Sequence, residues 1–152
     1  MAHYYSRCPF RYGGAITTWY TASHKALDIA PRTDDDGYEY AIESGTVTDY
    51  LLDQADGTDP PNFIVIKGLD GTLTVYAHVN ARPDIYYVVR GWPVDKGQCI
   101  GIVDLSGESS GRHVHLARLA AGDGTVDDVL NRVDQAVSFS ISTRPWPASE
   151  LP

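Results

Sequence analysis

Five histidines stand in the sequence, and two of them, His113 and His115, are separated by a single residue. In a strand alternate side chains share a face, so these imidazoles stand about 6.6 Å apart along one side while Val114 points the other way, into a core. One such ring can ligate a metal while the other reaches a water or substrate held by that metal. Taken alone, the pair is an ordinary surface feature of a strand. His24 and Asp28 are four apart, a spacing that leaves both groups on one side whether the backbone is helical or extended. An imidazole nitrogen and a carboxylate oxygen are common zinc donors, and a third donor from His115 would leave the fourth tetrahedral position open, as catalytic sites require. On their own, His24 and Asp28 describe a surface ion pair.

His78 follows Val75-Tyr76-Ala77 at the end of a strong strand, where a lone histidine is either packed or solvated. Tyr76 lies two positions earlier, hence on the strand face expected for His78, and either lines a groove or packs beneath it. His3 is the exception among the histidines, on an end expected to fray.

The elements that must position these groups are mostly strands. Apolar residues come in short β-branched or aromatic runs cut by turn signals. Strands are expected at residues 38–42, 46–52, 63–67, 72–78, 85–89, 98–103, 112–119 and 136–141. Leu69-Asp70-Gly71 reads as a tight hairpin, since Asp-Gly suits the positive φ angles such turns require, and residues 53–62, with Gly57 and Pro60-Pro61, as a longer exposed loop. One short helix is expected over residues 126–133, where Val126, Val129, Leu130 and Val133 recur at helical spacing behind Thr125 as a cap. After Ser142 three prolines forbid regular structure, so residues 1–143 read as one domain and 144–152 as a C-terminal tail.

Bulk properties narrow the function. The chain of 152 residues has the length of one domain, and 43% hydrophobic residues suffice for a core. Twelve basic against 20 acidic residues give a net charge of −8, the wrong sign for gripping phosphate backbones, so nucleic acid is not an expected partner. No apolar run approaches the roughly 20 residues of a membrane helix, and no signal peptide is visible. Cys8 and Cys99 are too far apart for a Cys-x-x-Cys motif, which leaves either two free thiols or one disulfide.

The combination of motifs resembles the lysostaphin-type (LytM-like) zinc metallopeptidases. That family is marked by His-x-x-x-Asp, Tyr-x-His and Gly-x-His-x-His in this order, and here stand His24-Lys-Ala-Leu-Asp28, Tyr76-Ala-His78 and Gly111-Arg-His113-Val-His115. Ala41-Ile-Glu-Ser-Gly45-Thr-Val47 and Lys96-Gly97-Gln98-Cys-Ile-Gly101 resemble two further family segments, and the likeness spans about residues 13 to 119. Ala26 replaces a usual glycine, and Leu116 and Arg118 stand where the family tends to carry phenylalanine and glutamate, which bears on the substrate groove. The loops around Asp34-Asp35-Asp36 and residues 54–61 also differ from the commonest members.

The resemblance implies a mostly β fold built on a duplicated hybrid motif, with an antiparallel sheet whose groove carries a zinc ion. It implies His24, Asp28 and His115 as metal ligands and His78 and His113 as the non-ligand catalytic pair, with Tyr76 as a groove residue. The implied substrate is the peptide part of bacterial peptidoglycan, cut at the cell wall by a secreted, periplasmic or phage-delivered enzyme. Two rival classes are a non-catalytic wall-binding or hydrolase-activating domain of the same fold, and a phosphocarrier domain with facing histidines. The latter has no use for Asp28 or a third adjacent imidazole.

Overall fold

The computed structural model describes residues 3–55, 59–80, 88–104 and 111–150. Its largest unit is a seven-stranded antiparallel sheet. In chain order the strands are β1 (His3–Tyr5), β2 (Gly14–Thr18), β3 (Leu27–Pro31), β4 (Tyr38–Tyr40), β5 (Gly45–Leu51), β6 (Phe63–Gly68), β7 (Leu73–Ala77), β8 (Val79–Asn80), β9 (Pro93–Val94), β10 (Cys99–Val103), β11 (Val114–Leu119) and β12 (Phe139–Ile141). The large sheet runs β2-β3-β11-β7-β6-β5-β9; β4-β10-β8 form a second antiparallel sheet and β1 pairs with β12 in parallel.

The central strands are buried on both faces, and their alternation sorts the apolar residues into two clusters. Ile64, Ile66, Tyr76, Val114 and Leu116 pack on one side with Leu27, Ile29 and Phe10. Phe63, Val65, Leu73, Val75, Ala77 and Leu119 face the other side, where Val129 and Ala136 cover them. The β6–β7 turn forms at Gly71 (φ 85°) as expected for Asp-Gly. There the Thr72 hydroxyl and amide hydrogen-bond to Asp70 and hold its carboxyl down at about 2.

Helix α1 (Val126–Asn131) begins where expected, with the Thr125 hydroxyl accepting from the Asp128 amide, and a 3-10 turn at Val133–Gln135 follows it. Five short strands escaped the sequence reading: β1, β2, β3, β8 and β9. β2 is mostly exposed, and β8 and β9 are two residues each, too little for period-2 reasoning; β3 does alternate, with Leu27 and Ile29 buried about Asp28, but over only five residues ending in Pro31. The strand expected at 85–89 lies mainly outside the described residues. His3 is paired with Phe139 rather than frayed. Residues 142–150 are mostly irregular, yet they are packed: the buried Trp146 donates its indole N–H to Cys8 O at 2.7 Å, and Glu150 pairs with Arg7. No disulfide joins Cys8 and Cys99, and burial pushes the Cys8 thiol up to about 12.

Candidate active site

The register of the large sheet explains how residues distant in the chain meet. Asp28 on β3 is the direct cross-strand partner of His115 on β11, which in turn pairs with Ala77 on β7 and, through it, with Phe63 on β6. Directly opposed side chains on one face stand roughly 5 Å apart at Cβ. His115 Nδ1 therefore reaches Asp28 Oδ1 at 2.9 Å.

His24 precedes β3 in a turn closed by bonds between Thr21 and His24, including the Thr21 hydroxyl accepting from the His24 amide at 3.0 Å. The turn brings His24 Nε2 to 3.2 Å from Asp28 Oδ2 and sets the His24 and His115 rings edge to face, 5.1 Å between centroids. One donor atom from each of His24, Asp28 and His115 lies within 4.8 Å of the others.

The chemistry of this donor set suits a cation. A carbonyl oxygen can only accept, so the 3.2 Å contact of His24 Nδ1 with Trp19 O makes Nδ1 the protonated nitrogen and leaves the neutral ring's lone pair on Nε2. That lone pair faces a carboxylate oxygen, and two acceptors in contact require a proton or a metal ion between them. Burial pushes the Asp28 carboxyl upward, but the hydrogen bond from His115 and the electrostatic influence of the His115, His113 and His24 imidazoles outweigh it and hold the group below its usual value. Zinc bonds of about 2.0–2.2 Å keep tetrahedral donors roughly 3.4 Å apart, close to the 3.2 Å and 2.9 Å at which His24 and His115 stand from the Asp28 oxygens.

His113 shares the face of His115, as strand alternation requires. Its Nε2 is 3.9 Å from Asp28 Oδ1, too long for a hydrogen bond, and its Nδ1 donates to Gly111 O at 2.9 Å. The free lone pair of the neutral ring is thus on Nε2, toward the carboxylate. Arg112 anchors the start of this segment by donating to Asp35 O at 2.9 Å. The guanidinium lies where a Cβ on Gly37 would come within 2.5 Å of it, so the loop containing Asp34-Asp35-Asp36 braces the entry to β11, with His113 just before the strand and His115 on it.

His78 reaches the same space by breaking the strand. It follows β7 with φ 63°, a left-handed conformation uncommon for a non-glycine residue and a sign of local strain. Backbone bonds hold it there: its amide donates to Asn62 O and its carbonyl accepts from the Asp104 amide, both at 2.9 Å. The ring is buried, 4.8 Å from His113 and 6.2 Å from His115 between centroids.

Tyr76 requires a correction. It does not line the groove: it is fully buried on the opposite face, where its hydroxyl accepts from the Ile42 amide at 3.1 Å. The expectation assumed unbroken alternation from Tyr76 to His78, and the positive φ at His78 breaks it. Replacing Tyr76 by phenylalanine is therefore expected to leave hydrolysis and KM unchanged while lowering stability by about 1–3 kcal/mol, because the buried Ile42 amide loses its acceptor; chemical denaturation alongside an activity assay reads both. Leu116 and Arg118 also point away from the groove. Leu116 is in the core, and Arg118 bonds the Tyr5 hydroxyl and, at 3.3 Å, Asp70, so these departures do not alter the groove lining.

His24, His78, His113, His115 and Asp28 line a cleft of about 800 Å3. Its floor is the β6–β7–β11 face bearing Phe63, Val75, Ala77, Ala117 and Leu119; Asp59, Pro60 and Pro61 line it as well, together with α1 and the turn after it. Sequence reasoning missed these lining residues, although the apolar stripe of Val126, Val129, Leu130 and Val133 was visible and only Val129 of it is buried. The carbonyls of Trp19 and Gly111, which orient two of the rings, are backbone groups and carry no signal in residue type.

Comparison with known proteins agrees with this picture. The sequence profile of peptidase family M23 matches residues 22–127. The fold is similar to that of the catalytic domain, as a point variant, of the prophage-encoded M23 protein EnpA from Enterococcus faecalis: 22% identity, TM-score 0.57, covering 90% of this chain and 93% of that one. It is similar also to the catalytic domain of the antimicrobial peptidase lysostaphin from Staphylococcus simulans, at 24% identity and TM-score 0.51 over 79% of this chain and 87% of that one. A third similar structure, a candidate M23 peptidase from Pseudomonas aeruginosa, shares 19% identity and a TM-score of 0.56; the match covers 75% of this chain and 44% of that longer one.

Proposed function

This chain belongs to peptidase family M23, and on that premise we propose that it is a zinc-dependent endopeptidase acting on the peptide part of bacterial peptidoglycan, at the cell wall. The observation that carries the reading is the convergence of His24, Asp28 and His115, with the His24 lone pair facing a carboxylate and two further imidazoles beside them. His24, Asp28 and His115 would hold the ion. When bound, zinc polarises a peptide carbonyl and lowers the pKa of a water toward neutrality.

The remaining work falls to the chain's own side chains. His113, with Nδ1–H tied to the Gly111 carbonyl, keeps Nε2 free toward the site and suits the acceptance of a proton at that atom. His78, across the same space, takes the complementary part: a hydrogen bond to the developing oxyanion or a proton for the leaving amine. The apolar cleft floor of Phe63, Val75, Ala77, Ala117 and Leu119 receives the substrate beside them, and Lys25, Asp59 and Asp134 line the same cleft as its charged groups. Delivery by a phage as a lysin or virion-associated wall hydrolase belongs to the same proposal.

The test is digestion of purified peptidoglycans that differ in their cross-bridges, with fragments identified by mass spectrometry. Hydrolysis is expected, abolished by a chelator and restored by zinc. Intact sacculi in the presence of zinc, or hydrolysis indifferent to chelation, would overturn the reading.

A further inference from the structure

The wall of the cleft nearest β3 is built by a segment whose apolar residues are left uncovered. β3 pairs with β11 only as far as Leu27 opposite Leu116. Beyond that point the chain returns from α1 and takes over beside β11, the Val137 amide donating to Arg118 O at 2.8 Å. The Tyr20 hydroxyl donates to Ala136 O at 2.7 Å, fastening this return to the loop that carries His24. Val129 and Ala136 seal the core beneath, whereas Leu130 (38% exposed) and Val133 (58% exposed) face into the same cleft as the histidines. Both lie beyond the residues that the M23 profile matches, 22–127.

Building on the function proposed above, we infer that Leu130 and Val133, backed by Leu119 and Ala136, form a subsite for an uncharged aliphatic side chain of the substrate peptide. The return after α1 is bonded to β11 at Arg118, between Ala117 and Leu119 of the cleft lining, two to four residues along the strand from His115, roughly 7–13 Å. An extended peptide advances about 3.3–3.6 Å per residue, so the side chain received belongs to a residue about two to four positions from the bond that is cut. The cleft is continuous from the histidine cluster to this wall, and its floor between them is apolar, so one bound peptide occupies both. The subsite thus selects by side-chain volume, with Asp134 lining the cleft next to Val133 and disfavouring an acidic group there, and it lies on the part of the chain that the family profile leaves free.

The test uses the full chain carrying His113→Ala, so that substrate binds without turnover, and measures by calorimetry its affinity for purified fragments of two cross-linked stem peptides. Adding Leu130→Ser and Val133→Ser is expected to raise Kd about tenfold, equivalent to about 1.4 kcal/mol, the scale set by a methylene or two in an apolar pocket. With His113 intact, KM rises by the same factor at constant kcat. An unchanged Kd, or no binding by the His113→Ala parent, overturns the subsite. So does a dimer in sedimentation that dissociates on Val133→Ser, which would assign this face to a second copy. Wild-type protein that leaves sacculi intact with zinc present refutes the peptidase reading itself, whereas active wild type with an unaltered serine variant refutes the subsite alone.

Discussion

Replacing His115 by alanine is expected to abolish stoichiometric metal binding and, with it, hydrolysis of peptidoglycan. Among the described residues His115 supplies one of the three donors that converge within 4.8 Å, and its ring also contacts the Asp28 carboxylate through the 2.9 Å bond to Oδ1. Losing an outer hydrogen-bond partner of a metal ligand already costs roughly 10–100-fold in affinity; removing a ligand itself should cost more. The fold should survive, since the His115 side chain is 36% exposed and stands at the mouth of the cleft rather than in either apolar cluster. The measurement is elemental analysis of purified protein after dialysis, with circular dichroism as the check on folding. A folded His115→Ala protein that retains one equivalent of zinc would remove His115 from the ligand set.

His113→Ala is expected to behave in the opposite way, retaining metal while turnover falls by roughly 10²–10⁴, the usual contribution of a positioned acid or base. The two histidines are two residues apart on one strand face, so a general disturbance of the strand would affect both variants alike. Geometry distinguishes them. His115 touches the carboxylate, whereas His113 stands 3.9 Å from it with Nδ1 committed to the Gly111 carbonyl. Full activity in His113→Ala, or loss of its metal, would contradict the division of roles. Glutamine at this position restores neither the proton acceptance nor the rate, which separates chemistry from packing.

Much of this arrangement was legible in local spacing. Alternation along 112–119 puts His113 and His115 on one face, and the four-residue step from His24 to Asp28 keeps those groups together, because both inferences depend only on backbone geometry within a few residues. The strong strands β6 and β7, the Asp-Gly turn between them and the Thr125 cap of α1 follow from equally local chemistry. The edge strand β2 escaped because its residues are mostly exposed and carry no apolar period, and β8 and β9 because two residues show no period at all.

What the sequence determined by itself was therefore which residues share a face. What only the tertiary structure decided was which faces meet: the cross-strand register of Asp28 with His115, 87 positions later, the positive φ that turns His78 into the cleft and leaves Tyr76 in the core, and the return of the chain after α1 that supplies the apolar wall. The physical reason is range. Side-chain direction is set by dihedral angles over neighbouring residues, whereas sheet register and strand breaks are chosen by the summed burial and hydrogen bonding of segments far apart in the chain.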